Sequence, residues 1–152
     1  MGTQTAEAPS VSEALRAALE ASDGFRAIHE RLLYLLQKEE DEEDQDFPTA
    51  YAYDTALTLL LDTQLQMSDL PRPSITADET GGIRLQWIGP ERQVRLIVPA
   101  DSSGREYVYF EDGESYDLAD NPTPSALAQR LLWSTKLGGE YDPYQDAMRP
   151  PA

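Results

Sequence analysis

The stretch "GGIRLQWIGPERQVRLIVP", residues 81–99, decides the fold class, because apolar and polar residues alternate along both of its halves. A period of two places successive side chains on opposite faces of a β-strand. The segment "GPER", residues 89–92, has turn composition at hairpin spacing. The sequence therefore predicts an antiparallel hairpin whose apolar face carries Ile83, Leu85, Trp87, Val94, Leu96 and Val98.

The alternating pattern continues towards the C-terminus in "REYVYFED", residues 105–112, where Tyr107 and Tyr109 form one set and Val108 and Phe110 the other. Further turn segments are "TGG", "DSSG" and "EDGE". We predict an antiparallel meander of four or five strands that begins near residues 73–77. The pattern leaves open which set of the tyrosine-rich strand faces the core.

Helical periodicity precedes the meander. The segments "PSVSEALRAALEAS" and "FRAIHERLLYLLQK" predict either one bent helix or two consecutive helices, with a break at "SDG", where Asp23 can cap the second helix. "FPTAYAYDTALTLLLDTQLQM" predicts a helix that begins near Thr49 or Ala50, with Pro48 in its first turn. Its predicted buried face consists of Ala52, Ala56, Leu59, Leu60 and Met67.

"DNPTPSALAQRLLWST" predicts a closing helix capped by Asn121 or Thr123, with Leu127, Leu131 and Leu132 as its apolar stripe. The fold class is therefore α+β: two N-terminal helical segments, an antiparallel meander and a closing C-terminal helix. We predict a disordered lead over residues 1–9, one domain over residues 10–136 with an acidic loop at 39–47, and a flexible tail over 137–152.

The chain is strongly acidic, with 12 Lys/Arg, 28 Asp/Glu and a net charge of −16 over 152 residues. Such a charge repels nucleic acids and anionic membranes and favours a basic protein partner. There is no cysteine for disulfides or thiolate chemistry, and no signal peptide or long apolar segment is visible. We expect a cytoplasmic protein of bacterial or phage origin, and a homo-oligomer is compatible with the sequence.

The stretch from Pro73 to Trp87, "PSITADETGGIRLQW", resembles a group of small uncharacterised bacterial proteins. In that group Pro-x-Ile and a Gly-Gly-Ile-x-Leu-x-Trp hairpin lie between helices, as at Pro73, Ile75, Gly81, Gly82, Ile83, Leu85 and Trp87 here. The resemblance covers roughly residues 50–135. A Trp-Asp-Gly segment that we associate with the group is replaced by "DQDFPTAYA". The resemblance implies an architecture and a bacterial origin, and it implies no activity.

The most acidic segment, "EEDEEDQD", does not fit a calcium-binding loop. Counting from Asp41, the sixth residue is Asp46 instead of Gly, and the twelfth is Ala52 instead of Glu. A solvated spacer between helices and a partner-binding segment remain the two interpretations. The acidic residues assigned to partner binding are Glu39, Glu40, Asp41, Glu42, Glu43, Asp44 and Asp46.

Two aromatic features complete the predicted partner-binding set. Tyr107 and Tyr109 share a strand face that the pleat can align with Arg84 and Arg95, giving a protein-binding hot spot, a stacking platform for single strands, or ordinary cross-strand pairs. The tail segment "EYDPYQD" offers Tyr141 and Tyr144 as a short docking peptide.

No catalytic, cofactor-binding or metal-binding residue is assigned. His29 is the only histidine, and carboxylate pairs such as Glu106 with Glu111, or Asp112 with Glu114, fall at strand ends and turns. We therefore predict a non-enzymatic acidic binding protein of the antitoxin, immunity or inhibitor type. The alternatives are a nucleic-acid mimic, and a ligand-binding module or enzyme with a pocket lined by Trp87, Tyr107 or Tyr109.

Overall fold

The computed structural model describes residues 11–37 and 47–134 and confirms the α+β class in that part of the chain. The acidic residues 39–46, the lead, the tail and its two tyrosines lie outside the described residues. The elements are α1 Val11–Ala21, α2 Asp23–Gln37, α3 Ala50–Gln64, β1 Ser74–Ala77, β2 Ile83–Ile88, β3 Gln93–Val98, β4 Tyr107–Glu111, β5 Tyr116–Asp120 and α4 Pro124–Ser134.

The five strands form one antiparallel sheet in the order β1-β2-β3-β4-β5, as the predicted meander requires. Leu96 is paired with Val108, and Val94 with Phe110, so the register places Val108 and Phe110 on the core face. The buried residues of that face are Ile75, Ile83, Leu85, Trp87, Val94, Leu96, Val98, Val108 and Phe110. The helices pack against this face, chiefly over β1, β2 and β3.

The first helical region consists of two consecutive helices that meet at Ser22. The backbone N–H of Phe25 donates to Ser22 Oγ at 2.9 Å, so Ser22 is the cap of α2. The prediction of Asp23 as the cap is wrong, because Asp23 is the first helical residue and its carboxylate binds Arg26 at 2.7 Å. Ser22 is buried and its hydroxyl also donates to Asp69, which ties the helix junction to the segment before β1.

Thr49 caps α3 and connects it to the sheet. Its Oγ1 accepts the N–H of Ala52 at 3.0 Å and donates to the carbonyl of Ala100 at 2.6 Å. Pro48 lies before the cap, so its predicted place in the first turn is wrong. The buried face of α3 includes Ala52, Ala56, Leu59 and Leu60, as predicted, whereas Met67 lies beyond the end of the helix and is half-buried.

Thr123 caps α4, accepting the N–H of Ala126 at 3.1 Å, and Pro124 occupies the first helical position. Leu127 and Leu131 are buried as predicted. Leu132 is 42% exposed, so its place in the apolar stripe is wrong. The next residue of a helix is rotated by about 100°, which turns Leu132 away from the core that Leu131 enters.

Candidate partner-binding surface

The candidate site is the sheet face opposite the helices, here called the outer face. Each strand contributes alternate residues to it, and the strand register arranges them in three rows across the sheet. The rows are Thr76–Arg84–Ile97–Tyr107–Asp120, Ser74–Gln86–Arg95–Tyr109–Leu118, and Ile88–Gln93–Glu111–Tyr116. All these residues are exposed or half-buried, and the helices of the described chain pack on the other side.

The structure brings the predicted aromatic and cationic residues onto this one face. Arg95 is the register partner of Tyr109, and its guanidinium carbon lies 5.2 Å from the tyrosine ring centroid. Arg84 and Tyr107 share a row but are separated by Ile97. The cation over Tyr107 is instead Arg105, whose guanidinium carbon lies 4.8 Å from the ring centroid. This contact is not predicted from the sequence. Arg105 precedes β4 and also binds Asp120 Oδ1 at 2.5 Å.

Tyr109, in the second row, contacts two residues of the third row, Glu111 and Tyr116. Its hydroxyl donates to Glu111 Oε1 at 2.6 Å, and this hydrogen bond raises the pKa of Tyr109, since the carboxylate stabilises the protonated phenol. Its ring stacks on Tyr116 with the centroids 5.7 Å apart. Arg95 Nε is buried without a hydrogen-bond partner among the described residues. The centre of the outer face is therefore an aromatic layer held by contacts with charged side chains.

The third row ends in an acidic depression. An open cavity of about 580 Å³ lies between the β2–β3 turn, residues 89–92, and the β4–β5 turn, residues 112–115. Ile88 and Tyr116, each 70% exposed, stand at the adjoining edge of the outer face. We call this region the acidic end; its carboxylates are Glu91, Glu111, Asp112 and Glu114, and Arg92 also lines the cavity.

Asp112 keeps its charge at the acidic end. Its Oδ1 accepts the backbone N–H of Ser115 at 3.0 Å and that of Glu114 at 3.1 Å. These bonds to the ionised form lower the pKa of the Asp112 carboxyl. The residues of the acidic end are not among those that the sequence predicts for partner binding. A signal for it exists, because "GPER" and "EDGE" are alternate turns of a meander and therefore lie at the same end of the sheet.

The three residues named for the pocket of the enzyme alternative do not share one face of the sheet. Trp87 is buried on the core face, where its Nε1 donates to the carbonyl of Pro71 at 2.7 Å, while Tyr107 and Tyr109 lie on the outer face. Glu106 has a pKa raised by burial, and it lines a separate open depression with Asp54 and Asp62. Within residues 11–37 and 47–134 no group of three or more His, Asp and Glu side chains could hold a metal ion.

His29 is half-buried on α2 and lines neither depression. No described helix is long and apolar enough to cross a membrane.

Comparison with known proteins found no match to any family model, any curated protein or any solved structure. The resemblance of the Pro73–Trp87 stretch to small bacterial proteins therefore stays a prediction.

Proposed function

We propose that this protein is a non-enzymatic binding protein, of the antitoxin, immunity or inhibitor type, that captures a basic protein with the outer face of its sheet. One observation carries the proposal: exposed Ile88 and Tyr116 stand beside the carboxylates of the acidic end, on a face that no described helix covers. Cytoplasmic location, bacterial or phage origin and self-association stay predictions from the sequence.

The apolar part of the surface supports a protein partner. Ile88, Tyr116 and Leu118 are exposed at 70%, 70% and 40%. Tyr116 stacks on Tyr109 and Leu118 is the register partner of Tyr109, while Ile88 lies at the β2 end of the third row. Grouped exposed apolar side chains with a polar rim are typical of protein interfaces, where aromatic residues contribute most of the binding free energy. We expect the partner to extend along the third row and to bury both Ile88 and Tyr116.

The charges support a basic partner. The described residues hold 9 Lys/Arg and 17 Asp/Glu, a net charge of −8, so half of the chain's surplus of −16 lies in them and does not depend on the acidic run. The four carboxylates of the acidic end would attract cationic side chains, and association would be steered and weakened by salt.

The distribution of charge favours a protein partner over the role of nucleic-acid mimic. A mimic presents its carboxylates in rows at phosphate-like spacing, whereas the outer face here carries the cations Arg84 and Arg95, with Arg105 over Tyr107. Four of the described carboxylates line one cavity beside exposed Ile88 at the acidic end. This arrangement suits a partner with a localised basic patch next to an apolar contact.

The proposal is tested by affinity capture from a lysate of the source organism at low and high salt, with identification by mass spectrometry. Wild-type protein should retain a basic protein at low salt. The double variant Ile88→Ser/Tyr116→Ala should lose it, because truncating central contacts typically costs about 2 kcal/mol or more, roughly 30-fold in affinity.

A matched pair of variants tests the charges separately. Glu91→Gln/Glu114→Gln should weaken capture, whereas Glu20→Gln/Glu30→Gln, exposed on the helices, removes the same charge far from the outer face and should leave capture unchanged. If both pairs weaken capture equally, or the apolar variant still captures the same protein, the outer face is not the binding surface and the proposal fails.

A further inference from the structure

The two edges of the sheet are treated differently. At β1, α2 packs alongside the strand and Arg31 Nε donates to the outward carbonyl of Ile75 at 3.0 Å. At β5, four of five residues are exposed, and among the strands of residues 11–37 and 47–134 it pairs with β4 only. In the described part of the chain, the sheet therefore has one covered edge and one open edge.

The hairpin hydrogen bonds determine which backbone groups of β5 point outwards. Asp112 N–H donates to the carbonyl of Ser115 at 3.1 Å, and Asn121 N–H donates to that of Glu106 at 2.8 Å. Hydrogen-bonded pairs alternate along an antiparallel ladder, so Asp117 and Ala119 also bond to β4. The backbone N–H and C=O groups of the residues between them point away from the sheet; these are Tyr116, Leu118 and Asp120.

Only one of these outward groups has a partner among the described residues: the N–H of Leu118 donates to Asp117 Oδ1 at 2.8 Å. An open edge with unpaired backbone groups is a template for one more strand. The side chains beside it are the exposed Tyr116 and Leu118 and the carboxylates of Asp117 and Asp120, of which Asp120 is bound to Arg105.

Charge decides between two occupants of this edge. A second copy pairing through its own β5 would bring together two acidic strands on chains of net charge −16 each. An extended segment that carries Lys or Arg meets carboxylates instead, and its apolar residues can cover Tyr116 and Leu118. Opposite charges across paired strands stabilise the pair and like charges destabilise it.

We infer that the edge of β5 binds an extended basic segment of the partner as a sixth strand of the sheet. This inference rests on the proposed function, since it states how the partner is held. The strand would add main-chain hydrogen bonds at Tyr116, at Asp120 and at the carbonyl of Leu118, directly beside the apolar and acidic surface.

The test uses a fluorescent peptide of about eight residues that alternates Lys and Val, a length that spans the edge. The control peptide has the same sequence with N-methyl groups on alternate residues, which keeps the charge and removes the donors that pair with β5. The alternating peptide should bind, and the methylated one should bind at least about tenfold more weakly. Binding should also slow hydrogen exchange of the Tyr116 and Asp120 amides.

Leu118→Pro tests the edge from the protein's side. The Leu118 N–H points away from β4, so replacing it with the proline ring keeps the β4–β5 ladder and obstructs an added strand, and proline is tolerated on an edge strand. The variant should keep the wild-type circular dichroism and bind the peptide at least about tenfold more weakly.

Three outcomes overturn the inference: no binding of either peptide, equal binding of both, or unchanged exchange of the two amides. These outcomes do not bear on the capture of a lysate protein through Ile88 and Tyr116, so the proposed function would stand. Conversely, edge binding of the peptide with capture unaffected by the outer-face variants would refute the proposed function and leave the open edge established.

Discussion

Replacing Gly24 by alanine would place a methyl carbon 1.6 Å from the carbonyl oxygen of Leu70. Gly24 is buried in the first turn of α2, where the helix crosses the segment that leads into β1. The obstructing atom belongs to the backbone, and Leu70 is held there by its buried side chain and by its N–H, which donates to Gln64 Oε1 at 3.0 Å. The variant must therefore displace α2 from this segment.

The change in the free energy of unfolding caused by Gly24→Ala is the sum of opposing effects. Alanine is better than glycine inside a helix by up to about 1 kcal/mol. Overpacking costs about 1–3 kcal/mol, and more when backbone must move. Displacement also strains the bonds of Asp69 with Ser22 and with the Gly24 N–H, 3.3 Å away, at about 0.5–1.5 kcal/mol each. We expect a net loss of about 2–4 kcal/mol, which lowers Tm by roughly 4–16 °C for a domain of this size.

The measurement is thermal and urea unfolding followed by circular dichroism. Ala27→Gly, in the same helix, is the control, because it measures the propensity difference without an obstruction and should lose only about 1 kcal/mol. A Gly24→Ala protein as stable as wild type would show that α2 does not contact the Leu70 backbone, and the packing of the helical layer described above would be wrong.

Two further predictions concern pH. Asp78 accepts hydrogen bonds from Thr80 and Gly82 in the β1–β2 turn; burial opposes its ionisation, but these bonds outweigh burial and lower its pKa. Asp78→Ala should lower the free energy of unfolding by about 1–3 kcal/mol, as measured by urea unfolding near neutral pH. Because the pKa of Asp78 is lower in the folded protein than in the unfolded chain, its contribution to stability is present above the ordinary Asp pKa and disappears as pH falls through the folded pKa. If Asp78→Ala destabilised the protein equally at every pH, this role of the ionised carboxylate would be contradicted. The pKa of Glu106 is instead raised by burial, so wild-type stability falls as pH rises from the ordinary Glu pKa through the folded value. Glu106→Gln should therefore raise Tm at pH about 8, with an advantage that vanishes below the ordinary Glu pKa, and a lower Tm at both pH values would refute this.

Much of the fold was predictable from local patterns. The alternation over residues 81–99 predicted a hairpin and the six core residues that the structure buries, because a period of two divides a strand into two faces. The caps were less predictable. Ser22 and Asp23 are both good capping residues, and only the bond from Ser22 to Asp69, 47 positions away, favours the serine.

The candidate surface depended on tertiary structure. Alternation divides β4 into Tyr107 with Tyr109 and Val108 with Phe110, but it does not say which set is buried. The pairing of Leu96 with Val108 decides that, since a strand must place its apolar residues beside those of its neighbour.

From the sequence alone, then, come the strands, the helices, the surplus of acid and the aromatic and cationic residues of one strand face. The acidic end and the open edge of β5 arise only when the meander is folded: alternate turns then meet at one end of the sheet, and the helices cover β1 to β3 and leave β5 exposed. Both features join residues that are distant along the chain. Local periodicity does not predict them, because it indicates on which face a side chain lies and not which residue lies opposite it.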